Sequence, residues 1–328
     1  MPRYLVTGGC GFVGAHLCRA LLREGHAVRV LDDLSTGRRE NLPDGVELLV
    51  GDVADPVCLE AAIADIDGCF HLAAVASVAR AAADWLGTNR INLGGAIALF
   101  DAIVKLPAAL RPAVVYASSA AVYGEPAVLP IAETAEKHPL SAYGVDKFAM
   151  ELHASVAAAV HGLRVVGLRP FNIYGPMQDP RSSYSGVISI FCDRLSHGRP
   201  VEIFGDGEQT RDFVFVADVV AALLAAMALR SEGAPVFNVC TGVGTSVRAL
   251  AETIGELCGQ RAQLVFRPQR SGEIRRSVGS PALARATLGL PAPTKLHEGL
   301  AAVLRWTEAG GFAVPGRLDA IMAEVAGK

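Results

Sequence analysis

The stretch that most constrains this chain lies near its beginning. Residues Arg3–Thr7 form a short apolar run that ends in Gly8-Gly9-Cys10-Gly11-Phe12-Val13-Gly14. A helical pattern follows, with Val13, Leu17, Ala20, Leu21 and Leu22 on or near one face. Strand, glycine turn and helix in this order are what a dinucleotide-binding loop requires. Glycines let backbone amides approach a pyrophosphate, and the helix N-terminus adds a favourable dipole. The spacing reads as G-x-x-G-x-x-G (Gly8, Gly11, Gly14) or as G-x-G-x-x-G (Gly9, Gly11, Gly14). Phe12 and Val13 belong to the same expected cofactor contact. A glycine turn alone also serves plain turn geometry.

A second strand-like run, 27–31, ends at Asp32, eighteen positions after Gly14. A carboxylate there accepts hydrogen bonds from both adenosine ribose hydroxyls and repels a 2'-phosphate, which favours NAD over NADP. Further strand-like runs lie at 46–50 and 69–72. The first leads into Gly51-Asp52-Val53, whose aspartate could reach the adenine edge. The second leads into Ala73-Ala74, small residues where a cofactor would pass close. Helical spacing over 84–105 carries Asn92, also assigned to the cofactor. The strand 112–118 precedes Ser119, and the strand 163–168 comes just before Pro170, which is also expected to meet the cofactor. Alternating strands and helices of this kind predict an α/β fold with a doubly wound parallel sheet of the Rossmann type. Ligands on such a sheet bind beyond the strand C-terminal ends, where Asp32 and Ser119 both fall.

Between the last two strands runs Tyr143-Gly144-Val145-Asp146-Lys147. On a helix, residues four apart share a face, so Tyr143 and Lys147 can meet one ligand. A tyrosine with a pKa of about 10 is a poor base at neutral pH. A neighbouring ammonium favours the phenolate and draws that value toward the working pH. The pair is therefore expected to act as an acid/base.

After residue 170 the regular alternation stops, and Gly, Pro and polar residues dominate 175–186. The expected division is an NAD-binding part at 1–170 with a return segment at about 211–240, the chain rejoining the sheet near 213–216. Residues 171–210 and 241–328 then form a smaller C-terminal substrate-binding lobe. Hydrophobic residues make up 51% and charged residues 19%, which suits a soluble globular enzyme. A net charge of -3 offers no field for nucleic acid. The apolar run 219–229 is too short to cross a bilayer. No basic leader precedes the first strand-like run, so a cytoplasmic location without membrane contact is expected. The seven cysteines show no metal-ligand spacing, so no metal is expected.

Five motifs now stand in order along nearly the whole chain: Thr7-Gly8-Gly9-x-Gly11-Phe12-x-Gly14, Ser118-Ser119-Ala120-Ala121-Val122-Tyr123-Gly124, Tyr143-x-x-x-Lys147, Arg169-Pro170-Phe171-Asn172-Ile173-Tyr174-Gly175-Pro176 and Gly205-Asp206-Gly207-x-Gln209-Thr210-Arg211-Asp212. Together they resemble the extended short-chain dehydrogenase/reductase family and, within it, the NAD-dependent nucleotide-sugar 4-epimerases. The resemblance implies that Tyr143 is the acid/base. It implies that Lys147 binds the nicotinamide ribose and depresses the Tyr143 pKa, and that Ser119 bonds the reacting sugar oxygen. It places Asn172, Arg211 and Arg270 on a substrate diphosphate, where guanidinium forks suit phosphate oxygens. It places Glu273 on the nucleotide ribose, and Tyr184 and Val187 beside the nucleobase. It also implies a homodimer, with the helices at 84–105 and 141–160 packing into a four-helix bundle.

The resemblance further implies C4 epimerisation of a UDP-sugar through a transient 4-keto sugar. A dehydratase of this family carries an Asp-Glu pair where this chain has Ala120 and Ala121, and a decarboxylase carries a Glu in that stretch. Ser277 matches the position that limits the sugar pocket. A small residue there favours UDP-N-acetylglucosamine/galactosamine alongside UDP-glucose/galactose. A UDP-glucuronate 4-epimerase remains an alternative, with Arg181, Arg275 or Arg276 receiving the carboxylate. So do a nucleotide-4-keto-sugar reductase and a non-catalytic NAD-binding protein, although the latter tends to lose Tyr or Lys from the motif.

Overall fold

A computed structural model describes residues 1–76, 78–180, 186–269, 274–311 and 317–326. The first six strands are β1 Arg3–Thr7, β2 Ala27–Asp32, β3 Glu47–Val50, β4 Gly68–His71, β5 Ala113–Ala117 and β6 Val165–Pro170. They alternate with helices α1 Phe12–Arg23, α2 Pro56–Ala62, α3 Val78–Ala83, α4 Trp85–Asn89, α5 Gly95–Val104 and α6 Ala142–His161. Later strands are β7 Asn172–Tyr174, β8 Val201–Phe204, β9 Thr210–Phe215, β10 Val236–Val239, β11 Gly244–Ser246, β12 Leu264–Arg267 and β13 Arg276–Ser277. Their helices are α7 Val187–Ser196, α8 Val216–Ala228, α9 Val247–Leu257, α10 Ala282–Leu288, α11 Leu296–Glu308 and α12 Leu318–Ala326.

Seven strands form one sheet in the order β10-β6-β5-β4-β1-β2-β3, and every pair in it is parallel. Reversal of strand order at β1 creates the crevice in which such sheets bind nucleotides. Both faces are covered, so the strands read as nearly continuous apolar runs. One face packs Val6, Val30, Phe70 and Val115 against α1 and α8. The other packs Leu5, Cys69, Val114 and Tyr116 against α2, α5 and α6. A third core lies in the smaller C-terminal lobe, where Phe191, Leu250, Leu300 and Trp306 join α7, α9 and α11.

The return to the main sheet differs from the expectation at 213–216. Strand β9 pairs with β7, β11 and β13 in a separate four-stranded sheet, and only β10 rejoins the parallel sheet. Strand β7 follows β6 directly in the chain and offers β9 a parallel edge, with Asn172 opposite Phe213 and Tyr174 opposite Phe215. The helix that follows, α8, does cover the main sheet, as Val219, Val220 and Leu223 show.

The helix predicted over 84–105 also has finer structure. Asp84 caps α4 by accepting from Gly87 N at 2.9 Å, and a π-helical turn, Arg90–Gly94, separates α4 from α5. Such turns cluster at functional sites. Helix α6 is the longest in the described chain. Its N-cap Ser141 accepts from Gly144 N at 3.1 Å, and Gly162 closes it in the left-handed region.

Candidate active site

The glycine loop has the shape a pyrophosphate needs. Gly8 has φ +70°, and a Cβ there would lie 2.8 Å from Ala73 Cα. At Gly14 a Cβ would lie 2.3 Å from Gly8 O, so α1 starts directly on the turn. At Gly11 a Cβ would meet only Gly8 O, at 3.3 Å. Open space therefore remains above the first turn of α1, where the amides of Phe12 and Val13 have no intrahelical acceptor. No acidic side chain occupies that turn.

Asp32 ends β2, buried. Its two oxygens accept from Cys10 N and Leu34 N, each at 2.9 Å. Burial pushes its carboxyl up, and those two amides pull it back. Each oxygen keeps a second lone pair, so a ribose diol fits. Asp52 accepts from Ala54 N at 2.8 Å and pairs with Arg90 at 2.7 Å. Burial raises it, but the Ala54 amide and Arg90 outweigh that and hold it below its ordinary value. Val53 is buried among apolar side chains, close enough that a Cβ on Gly95 would meet it at 2.7 Å. Its side chain thus serves the core. Asn92 is fully buried and spends its amide on Val75, accepting from Val75 N at 2.7 Å and donating to Val75 O at 3.3 Å. It shapes the loop after β4.

That loop is held from a second side. Thr7 Oγ1 accepts from Leu72 N and Ala73 N, both at 3.2 Å, so its own proton goes to His71 Nδ1 at 2.9 Å. His71 is then neutral with its proton on Nε2. Burial, helped by the Lys147 charge, drives its pKa down to about 3. Ala73 and Ala74 follow, next to the glycine turn. Pro170 ends β6 at the same edge of the sheet.

Ser119, Tyr143 and Lys147 meet beyond β5. Ser119 caps the short 3-10 turn Ala120–Tyr123 by accepting from Ala121 N at 3.1 Å. Its hydroxyl also acts on the Tyr143 phenol, drawing the phenol pKa down. A Cβ on Gly144 would lie 2.7 Å from Ala121 O, so glycine allows α6 to press on that turn. Lys147 Nζ donates to Ala117 O at 2.7 Å and lies 5.8 Å from the Tyr143 ring centre. The expected depression of Tyr143 by Lys147 is not what the structure shows. Burial pushes the phenol up, and Ser119 opposes it. Lys147 is itself weakened as a cation, since burial takes it down to about 8 against the pull of Asp146.

The substrate side is brought together by the smaller mixed sheet. Ser277 on β13 pairs in register with Arg211 on β9, and Asn172 on β7 is exposed beside Phe213 of the same strand. Arg211 donates to Thr210 O at 2.9 Å. Val187 starts α7 and packs partly into the lobe core. Arg275 makes a two-bond ion pair with Asp206, at 2.7 and 2.9 Å. Tyr184, Arg270 and Glu273, together with Arg181, lie outside the described residues.

Residue reasoning left one group without a role. Arg169 meets Glu151 in a buried two-bond pair, at 2.8 and 2.6 Å. Glu151 stands four residues after Lys147 on the same helical face and Arg169 begins the 169–176 motif, but no spacing rule joins the two in sequence. No group of three or more metal-ligating side chains exists among the described residues.

Fold and site together define a Rossmann-type enzyme with a crevice for a dinucleotide beyond the strand ends. The model of the NAD-dependent epimerase/dehydratase family matches residues 4–240. The chain belongs to that family, and it is an enzyme that uses NAD. It is 39% identical to the UDP-glucose 4-epimerase of Mycolicibacterium smegmatis, over 91% of this chain and 96% of that one. A crystal structure of UDP-glucose 4-epimerase with UDP-glucose from Thermotoga maritima superposes with a TM-score of 0.89 at 35% identity, covering 94% of this chain and 99% of that one. The UDP-N-acetylglucosamine 4-epimerase of Methanobrevibacter ruminantium, in complex with UDP-N-acetylmuramic acid, gives 0.88 at 31%, covering 94% and 99%.

Proposed function

We propose that this enzyme inverts C4 of a UDP-sugar through a transient 4-keto sugar, with Tyr143 as acid/base. The observation that carries this reading is Lys147 Nζ 5.8 Å from the Tyr143 ring, with Ser119 acting on the same phenol and only Ala120 and Ala121 following the serine. The nicotinamide, when bound, accepts a hydride from C4 and returns it. Ser119 holds the C4 oxygen while Tyr143 removes its proton. Lys147 does not lower the resting phenol, but its Nζ, 5.8 Å from the ring, would meet the negative charge once the phenolate forms. Neither alanine can take a C5 proton or protonate a leaving group, so the keto sugar is left to turn over and be reduced on its other face. Asn172 and Arg211 sit on strands away from Tyr143, which suits a diphosphate grip that leaves the sugar free to rotate.

Ser277 is small and half-buried beside Arg211, which supports both plain and N-acetylated hexoses as substrates. The relatives named above act on one or the other. A uronate reading draws on Arg276, which is exposed on β13, whereas Arg275 is engaged by Asp206. Among the described residues no helix is long and apolar enough to cross a membrane. A homodimer is supported by the apolar stripe of Val145, Leu152, Val156 and Val160 on α6, which is 48–69% exposed.

The test is a panel of UDP-glucose, UDP-N-acetylglucosamine and UDP-glucuronate, with C4 configuration read by NMR and no added cofactor. Inversion of at least one is expected, and inversion of none would end the reading. Tyr143→Phe should abolish turnover while NAD stays bound, checked by the same NMR assay and by cofactor content after gel filtration.

A further inference from the structure

The Glu151–Arg169 pair is the centre of a larger buried network. Ser118 Oγ donates to Glu151 Oε1 at 2.5 Å, and Ser118 is the residue before Ser119. Arg169 Nη1 donates to Tyr123 Oη at 2.7 Å, and Tyr123 closes the turn that Ser119 caps. The Tyr123 ring also lies under the guanidinium, 5.0 Å from its carbon. Tyr123 Oη donates to Asn238 Oδ1 at 2.7 Å on β10, and Asn238 Nδ2 donates to Ile131 O at 2.9 Å. Ile131 in turn takes its amide to Val278 O at 2.8 Å, next to Ser277.

We propose that Glu151, Arg169 and Tyr123 are positioning residues that fix the Ser119 hydroxyl against the Tyr143 phenol. This rests on the acid/base reading of Tyr143. Glu151 lies two helical turns beyond Tyr143 on α6, so its carboxylate joins the helix carrying the phenol to the strand end carrying the serine. Arg169 and Tyr123 brace the far end of the same turn, so Ser119 is held from both of its flanks. The chain of bonds ends beside the sugar-pocket position, which sets the catalytic pair in register with the wall the sugar would meet. None of these side chains needs to touch substrate to do this. A network of this kind acts as a unit, because each member satisfies the next.

Ser118→Ala and Tyr123→Phe are the tests, since both leave the ion pair intact. Glu151→Gln would strand a buried guanidinium and is set aside for that reason. The first readout needs no sugar. The Tyr143 phenol is titrated by ultraviolet tyrosinate absorbance in NAD-loaded protein, with the Tyr143→Phe spectrum subtracted. Each variant should shift that titration to higher pH, because a loosened Ser119 no longer favours the phenolate. The second readout is turnover on whichever nucleotide sugar the wild type inverts. There kcat should fall about tenfold with KM unchanged, and the double variant should lose no more than the worse single one. An unmoved phenol titration overturns the proposal, whatever the activity. So does a wild-type kcat in Ser118→Ala, or losses that multiply in the double variant. A wild type that inverts no sugar defeats the functional reading alone, since the titration still decides this one.

Discussion

Lys147 keeps its ammonium in a place the fold resists. It is 2% exposed, and burial brings its pKa from 10.5 to about 8. The folded protein therefore prefers the neutral amine. The penalty is fully present below pH 8 and fades as pH rises toward 10.5, where the unfolded chain also loses the proton. The fall corresponds to about 3 kcal/mol. The bond to Ala117 O is worth about 1 kcal/mol. Lys147→Met should therefore raise stability at pH 7 by about 2 kcal/mol, and the gain should vanish near pH 10.5, while turnover is lost. Urea denaturation at the two pH values checks this. A destabilised Lys147→Met at pH 7 would mean that the ammonium is held by stronger contacts than those seen.

At the scale of elements, the π-helical turn at Arg90–Gly94 carries a side chain that holds a distant loop. Asn92 supplies both the donor and the acceptor for the Val75 backbone. Asn92→Ala would leave that amide and carbonyl buried without partners, so a loss of about 2–4 kcal/mol is expected, measurable by chemical denaturation. A loss below about 1 kcal/mol would show that the loop finds other partners. The same residue shows what a sequence can and cannot disclose. The helix around Asn92 was legible from its 3.6-residue spacing, because periodicity is a local property. Its interruption was not, because the partner lies seventeen residues away in another element. Asp32, Ser119, Tyr143 and Lys147 were legible because each follows a strand or shares a helical face at fixed spacing. Strand β9 was misplaced for the opposite reason. Its apolar run fits either sheet, and the choice was made by the nearby edge of β7. The Glu151–Arg169 pair was present in the pattern but mute, since an ion pair across a fold has no spacing rule.

For the whole molecule, two buried neutral histidines set the acid limit. His16 donates to or accepts at Pro176 O, and since a carbonyl only accepts, its Nε2 carries the proton, at 2.9 Å. Burial lowers His16 to about 4 and His71 to about 3. Both folded values lie below the ordinary 6.5, so their contribution is complete above that pH and is lost as pH falls through it. At pH 5 each favours the unfolded chain by about 2 kcal/mol, so stability should drop by about 4 kcal/mol between pH 7 and 5. Denaturation curves at the two pH values check this, and a drop under about 2 kcal/mol would contradict it. The exposed stripe on α6 makes a second forecast. Leu152→Arg with Val156→Arg should convert a dimer to monomer in sedimentation velocity without loss of the fold. A wild-type protein that sediments as a monomer would contradict the pairing itself.

Strand β10 closes the parallel sheet from far along the chain. On the ribosome, the backbone groups along the outer side of β6 must wait bare until the chain has been made past Val239. Nascent intermediates therefore display a sticky apolar strand to their neighbours. The yield of this enzyme in a cell should depend on the pace of translation between those two strands, and on whichever helpers shield the wait.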